Sequence, residues 1–316
     1  MKVKDIGEFG LIDKISKKSI NKDVIVDIGD DAAVYKTEKG LQVITTDSLI
    51  EGDHFSKEYF TPCQIGKKAI EINVSDIAAM GAVPKHVLVS LAIPNDLDVK
   101  FVEELYEGMW GVCDKYNLDI IGGNMTHCNI IVISISLIGE VKKNNLCLRC
   151  GAKPGDLIFV SGYLGNGRAG LRLFQENVDG FNNIRKKYLE PKSQFDFSKK
   201  IAPYVNSMID VSDGLASEIN HICDESECGA IIYKDKIPIN EDVRILAKKL
   251  KEDEYTYALF GGEDFQLVYT VSKERLSNID GFLIGEITKN KKILLSNKGK
   301  YEEIINKGYD HFSNYK

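Results

Sequence analysis

Apolar residues recur along the first half of the chain with two different periods. Short runs rich in β-branched residues, Val24 to Ile28, Leu41 to Thr45, His86 to Ile93, Leu118 to Ile121 and Ile130 to Ile138, are bounded by turn residues and predict strands. Gln64 to Met80 and Val99 to Tyr116 repeat apolar positions at helical spacing and predict helices, the first stopping at Gly81 and Pro84. A break falls at Gly151-Ala152-Lys153-Pro154-Gly155, ahead of a strand over Asp156 to Ser161. Beyond it the pattern predicts a helix over Arg168 to Glu176, a strand over Met208 to Val211, a helix over Gly214 to Cys223, and strands near Ala230, Gln266 and Phe282. No repeat of fixed period is evident. The pattern is a mixed α and β protein in two domains, 1–150 and 151–316, and a length of 316 residues suits that division.

Acids and hydroxyls punctuate segments that otherwise read as buried. Asp30 and Asp31 share a glycine-containing bend between Val26 and Val34, where a turn, a cap or a cation accounts for them. The run from Val43 closes on Thr45, Thr46 and Asp47, the oxygen donors that magnesium prefers. A helix N-cap is the alternative, although a cap needs one oxygen and this segment offers three. Asn73 and Asp76 share a face of a helix that is apolar on nearly every side. A carboxylate buried there requires a partner: a cation, an arginine or a helix N-terminus. Asp210-Val211-Ser212-Asp213-Gly214 repeats the device after the break; Ser212 or Asp213 suits an N-cap, whereas Asp210 lies inside a strand pattern. Gly261 and Gly262 precede Glu263 and Asp264 in a loop, as a tight turn or as a place where backbone approaches a ligand. If these breaks converge, they form a pocket for several cations, and such a pocket suits a polyphosphate. Phosphate and carboxylate repel by roughly 4 kcal/mol per charge pair at an effective dielectric of 20, so divalent ions must sit between them.

Composition narrows the classes. With 47 acids against 41 bases the net charge is −6, so the electrostatic footprint of a nucleic-acid binder is absent. The apolar stretch at Ile130 to Ile138 falls short of the roughly 20 residues of a membrane helix, and MKVKDIGEFG has no signal-peptide core, which points to the cytoplasm. Seven cysteines fit a reducing compartment. Cys147 with Cys150 and Cys223 with Cys228 would allow a zinc site, but reduced structural thiols are the simpler reading. Gly165 to Gly170 spell GxGxxG after a strand and before a helix, yet no second strand ending in an acid follows, so a turn needing glycine geometry is preferred over dinucleotide binding. GxxxxGK[ST], the protein-kinase motifs and a nucleophile elbow are all missing, and His54, His86, His127, His221 and His311 lack metal-pair spacing.

Read together, Gly7-Glu8-Phe9, Gly29-Asp30-Asp31-Ala32, Thr45-Thr46-Asp47, Glu51-Gly52-Asp53-His54-Phe55, Asn73-Val74-Ser75-Asp76, Gly122-Gly123-Asn124, Asp210-Val211-Ser212-Asp213-Gly214, Gly261-Gly262-Glu263-Asp264 and Lys307-Gly308-Tyr309-Asp310-His311-Phe312 resemble the thiamine-monophosphate kinase family over almost the full length. The resemblance implies an aminoimidazole ribonucleotide synthetase-like fold: an N-terminal α/β domain whose sheet forms a dimer, and a C-terminal α+β domain that completes the active site. It implies magnesium ions held by Asp30, Asp31, Thr45, Thr46, Asp47, Asp76, Asp210 and Asp213. Asn124 stands where an aspartate is commoner, which keeps an oxygen and drops a charge. By the same resemblance Tyr106, Gly122, Gly123, Asn124, Arg149 and Ser212 contact ATP, and His54, Glu263 and Tyr309 contact thiamine monophosphate. The implied reaction is in-line transfer of the γ-phosphoryl group to an acceptor phosphate already ionised, so no residue is expected to act as a general base. Other enzymes of that superfamily and an inert ATP- or metal-binding module are the rival readings.

Overall fold

Two mixed sheets organise the chain, whose computed structural model describes residues 3–304, 308, 309 and 312. The first sheet contains β1 (Val24–Val26), β2 (Ala33–Thr37), β3 (Gly40–Ile50), β4 (Val83–Ile93), β5 (Asp119–His127) and β6 (Val132–Val141), in spatial order β1-β2-β3-β6-β4-β5. Only β4 and β5 run parallel; the other neighbours are antiparallel. Helix α1 (Gly7–Ile15) precedes this sheet, and α2 (Pro62–Ala79) and α3 (Val99–Tyr116) pack against one of its faces. That face buries Val43, Val87, Val89, Leu91, Ile133, Ile135 and Leu137. The opposite face is open and presents Ile44 and Leu88.

The second sheet has the order β13-β12-β9-β11-β7-β10-β8. Its strands are β7 (Leu157–Val160), β8 (Ser207–Asp210), β9 (Gly229–Tyr233), β10 (Leu267–Val271), β11 (Phe282–Thr288), β12 (Ile293–Asn297) and β13 (Lys300–Glu303). Around it lie α4 (Asn166–Gln175), α5 (Asn182–Leu189), α6 (Phe195–Ile201), α7 (Leu215–Glu225), α8 (Glu241–Leu250) and α9 (Glu254–Phe260). A separate apolar cluster, including Ile158, Ile209, Ile219, Ile232 and Ile284, fills this half.

Helix α2 is the spine of the molecule. Thr61 and Gln64 close a capping box at its start, and Pro62 occupies the first turn, where no amide partner is needed. It lies so close to α3 that a Cβ at Gly66 would meet the Leu105 carbonyl oxygen at 1.9 Å, and one at Gly108 the Cys63 carbonyl at 2.0 Å. The expected burial of this helix holds, and Lys68, Glu71, Asn73 and Ser75 are buried with its apolar residues.

The structure corrects several expectations. The strand expected to end at Thr45 continues to Ile50, because β6 pairs with it from Leu41↔Val141 through Ile50↔Val132. Thr45, Thr46 and Asp47 therefore lie within a strand and cap no helix. Neither Ser212 nor Asp213 caps α7; its N-cap is Gly214 at φ 114° with no side-chain hydrogen bond. The strand expected over Val24 to Ile28 stops at Val26. Helices α1, α5, α6, α8 and α9 and strands β12 and β13 carry apolar signals too short or too diluted by charge to have been read. Of the tail motif, Lys307, Asp310 and His311 lie outside the described residues, as does the segment 313–316. All seven cysteines are unpaired.

Candidate active site

Four segments meet where α2 passes between the sheets. From α2, Asp76 accepts a hydrogen bond from Thr45 Oγ1 at 2.7 Å, and Asn73 Oδ1 accepts the Asp47 amide at 3.1 Å. One turn of helix thus fixes two successive inward positions of β3. Ser75 Oγ donates to Asp210 Oδ2 at 2.5 Å, joining α2 to the end of β8. In the bend before β2, Asp30 accepts the amides of Asp31 at 3.0 Å and of Arg149 at 3.2 Å. Asp31 accepts from Arg149 Nε and Nη2 at 3.1 and 2.6 Å, while its Oδ2 is buried with no hydrogen-bond partner.

The electrostatics of this cluster are adverse. Burial, then the charges of Asp47, Asp210 and Asp31, hold the Asp76 carboxyl well above its ordinary range. Burial and the Asp31 charge push Asp210 up to about 8, against the opposing hydrogen bond from Ser75. Asp30 rises to about 7 through burial and its neighbour Asp31. Carboxylates that raise one another in this way lack positive charge. Asp76 does not find the arginine or helix N-terminus that its burial called for; its partner is a hydroxyl. The donor set fits hard divalent cations: all oxygen, one buried carboxylate oxygen unpaired, and repulsion that a cation relieves. Among the described residues no three acidic, histidine or cysteine side chains close on one point. An ion here would draw remaining ligands from hydroxyls and phosphate oxygens, as magnesium commonly does.

Of these residues Asp31, Thr45, Asp47, Asp76, Arg149 and Asp210 line one cavity of about 370 Å³. Of the residues singled out in the sequence it gathers Asp31, Thr45, Thr46, Asp47, His54, Asp76, Arg149, Asp210, Ser212, Asp213, Glu263 and Tyr309. Also in the lining, the Tyr309 amide donates to the Asp213 carbonyl at 3.1 Å, and the Tyr309 hydroxyl donates to Asp53 at 3.3 Å. The Glu263 amide donates to the Ser212 carbonyl at 2.8 Å. A Cβ at Gly262 would lie 2.2 Å from that same carbonyl, so Gly262 allows two loops of the chain to touch. The histidine of the same rim, His54, accepts the Ile50 amide on Nδ1 at 3.2 Å.

The remaining residues singled out lie elsewhere. Asp30 backs the cavity without lining it, and Tyr106 packs half-buried on α3 against the N-terminal core. Gly122, Gly123 and Asn124 are on β5, outside the lining. Asn124 falls in register with Ser90, Ser134 and Ser48, a polar row that crosses the sheet to the cavity. The GxGxxG loop binds the chain's own anion: Gly165 and Gly167 amides donate to Asp264 at 2.5 and 3.0 Å. A dinucleotide phosphate would have to displace that carboxylate.

Two residues of the site, Glu218 and Lys68, escaped the sequence reading, while Glu8 and Phe9 stand in a motif of the family resemblance that gave them no role. Glu218, buried on α7, accepts the Asp213 amide at 2.9 Å and lines the cavity. Phe9 of α1 packs tilted against His221 of α7, with ring centroids 4.8 Å apart, and both line the cavity beside Glu8. Lys68 is buried on α2 and bonds Glu263. The signal that exposed Asp76, a charge inside an apolar helix, was equally present for Lys68.

Residues 29–141 match the family described as AIR synthase related protein, N-terminal domain, and residues 153–293 match its C-terminal domain. The chain is 38% identical to the thiamine-monophosphate kinase of Aquifex aeolicus (strain VF5), over 99% of this chain and 100% of that protein. It is 36% identical to that of Bacillus subtilis (strain 168), over 96% and 99%. The solved structure of AaThiL complexed with AMPPCP and TMP superimposes with a TM-score of 0.89 at 37% identity, over 98% of this chain and 99% of that one. The chain belongs to the thiamine-monophosphate kinase family and has its two-domain AIR synthase-like fold.

Proposed function

We propose that the protein transfers the γ-phosphoryl group of ATP to thiamine monophosphate, giving thiamine diphosphate and ADP, with magnesium ions as cofactor. The observation that carries this reading is the convergence of Asp31, Asp47, Asp76 and Asp210 from both halves of the chain, each within reach of the others' charge. Residues 1–150 would bind ATP and metal, and 151–316 would complete the site. The AaThiL complex with AMPPCP and TMP and the names of the curated relatives support the choice of substrates.

Magnesium would be held by Asp30, Asp31, Thr45, Thr46, Asp47, Asp76, Asp210 and Asp213, with Asn124, and would neutralise charge on the polyphosphate. Arg149 commits Nε and Nη2 to Asp31, which leaves Nη1 for a phosphate oxygen. Arg149, Ser212, Tyr106, Gly122 and Gly123 position the nucleotide. At the other end His54, Glu263 and Tyr309 hold the acceptor, Tyr309 by stacking on a flat heterocycle. The acceptor phosphate is ionised near neutral pH, so the chain has only to align it and exclude water. A second copy of the chain covers the open sheet face, which presents Ile44 and Leu88 beside β5, an edge strand of the sheet. The protein works in the cytoplasm, where its substrates are; among the described residues no helix is long and apolar enough to cross a membrane.

Incubation with ATP, magnesium and thiamine monophosphate, followed by chromatography, tests the reading. Equal amounts of thiamine diphosphate and ADP are expected, with no product from thiamine or from aminoimidazole precursors. ATP turnover only with an aminoimidazole precursor would assign the site to another branch of the fold.

A further inference from the structure

Lys68 has no exposed surface, yet its ammonium serves two loops from opposite halves of the molecule. Nζ donates to Glu263 Oε1 at 2.5 Å and to the His54 carbonyl oxygen at 2.9 Å. The rings of Phe60 and Tyr188 flank it, with centroids at 5.3 and 5.4 Å. Glu263 is 31% exposed and lines the cavity, in a left-handed backbone conformation at φ 65° that a non-glycine residue seldom adopts. Burying an ammonium is costly, and an apolar residue of similar volume often serves stability as well or better. The cation here therefore does something other than fill space. It fixes one carboxylate oxygen of Glu263 and the backbone of His54 at a common point.

We infer that Lys68 is a positioning residue that sets Glu263 and the His54 loop at the acceptor end of the cavity and thereby sets affinity for the phosphorylated acceptor. This rests on the function proposed above. Acting through Glu263, it leaves the nucleotide end untouched.

The test is steady-state kinetics on Lys68→Met, Lys68→Arg, Glu263→Gln and the double variant Lys68→Met/Glu263→Gln. For Lys68→Met the KM for thiamine monophosphate is expected to rise about tenfold, the loss of one charged hydrogen bond, with the KM for ATP within about twofold of wild type. The double variant is expected to be no worse than Glu263→Gln alone, because the two changes break one linkage. Lys68→Arg keeps the charge but cannot place one N–H donor group at the same point, so a smaller rise confined to the acceptor is expected; it decides the matter if Lys68→Met fails to fold. An unchanged acceptor KM, equal changes for both substrates, or additive losses in the double variant overturn the inference. Wild type that makes no thiamine diphosphate overturns the functional reading, and this inference with it. Wild type that turns over beside a Lys68 variant with unaltered acceptor KM overturns the inference alone.

Discussion

Ser75 donates a 2.5 Å hydrogen bond to Asp210, tying the middle of helix α2 to the last residue of strand β8. The two residues are 135 apart in sequence, one on a helix of the first half and the other on a strand of the second sheet. Through this bond the acids of the first half and those of the second share one buried cluster, and neither half completes the cavity by itself.

That cluster opposes the stability of the ligand-free protein. Asp210 is pushed up to about 8 because burial and nearby carboxylates disfavour its charge. Asp210→Asn keeps an acceptor for Ser75 and removes the ionisation, so it is expected to stabilise the metal-free protein by about 1–3 kcal/mol while phosphoryl transfer falls to background. Chemical denaturation in chelator and a product assay check the two halves of this expectation. Loss of stability together with retained activity would contradict it.

Asp264 governs a pH dependence outside the acid cluster. Its carboxyl is pushed up to about 7 because burial outweighs the amides of Gly167 and Gly165 that it accepts. Unfolded, it titrates near its ordinary 3.8. Between these values the folded chain holds a proton that the unfolded chain has lost, so this group's contribution to stability grows as pH falls from about 7 towards 4 and is lost as pH rises. Asp264→Asn removes that slope. Denaturation midpoints at pH 5 and 7.5 should show wild type gaining relative to the variant at pH 5; a constant difference would count against the assignment.

How much was legible in the sequence follows from how charge is distributed within apolar runs. Asp47, Asp76 and Asp210 could be read because each interrupts a pattern that otherwise predicts burial, and the structure places them together. Lys68 and Glu71 interrupt the same helix and passed unread, because a long basic or acidic side chain in a helix ordinarily reaches solvent. Glu71 in fact accepts from Tyr116 at 2.9 Å and from the Ser193 amide at 2.8 Å, a pairing that no local period encodes. The helix Asn182–Leu189, with the sequence NNIRKKYL, buries only Ile184 and Tyr188, too sparse a signal to mark a helix in advance. The GxGxxG loop shows the converse case, in which a motif carries the right geometry and the chain's own Asp264 occupies it.

The open sheet face makes assembly testable. Leu88 of β4 is 41% exposed on that face. Leu88→Lys is expected to convert a dimer at micromolar concentration to monomer in sedimentation velocity and to lower activity in parallel, since a charge buried there without a partner opposes association. A dimeric, fully active variant would remove this surface from the interface.

The central claim is that carboxylates from both halves hold divalent cations against the polyphosphate. Titration of Mn²⁺ into the protein with a non-hydrolysable ATP analogue, followed by electron paramagnetic resonance of the free ion, tests it directly. Wild type is expected to take up Mn²⁺, and Asp47→Asn, Asp76→Asn and Asp210→Asn each to weaken that uptake by about tenfold or more, the loss of one charged ligand. Equal Mn²⁺ binding in wild type and all three variants would contradict the account.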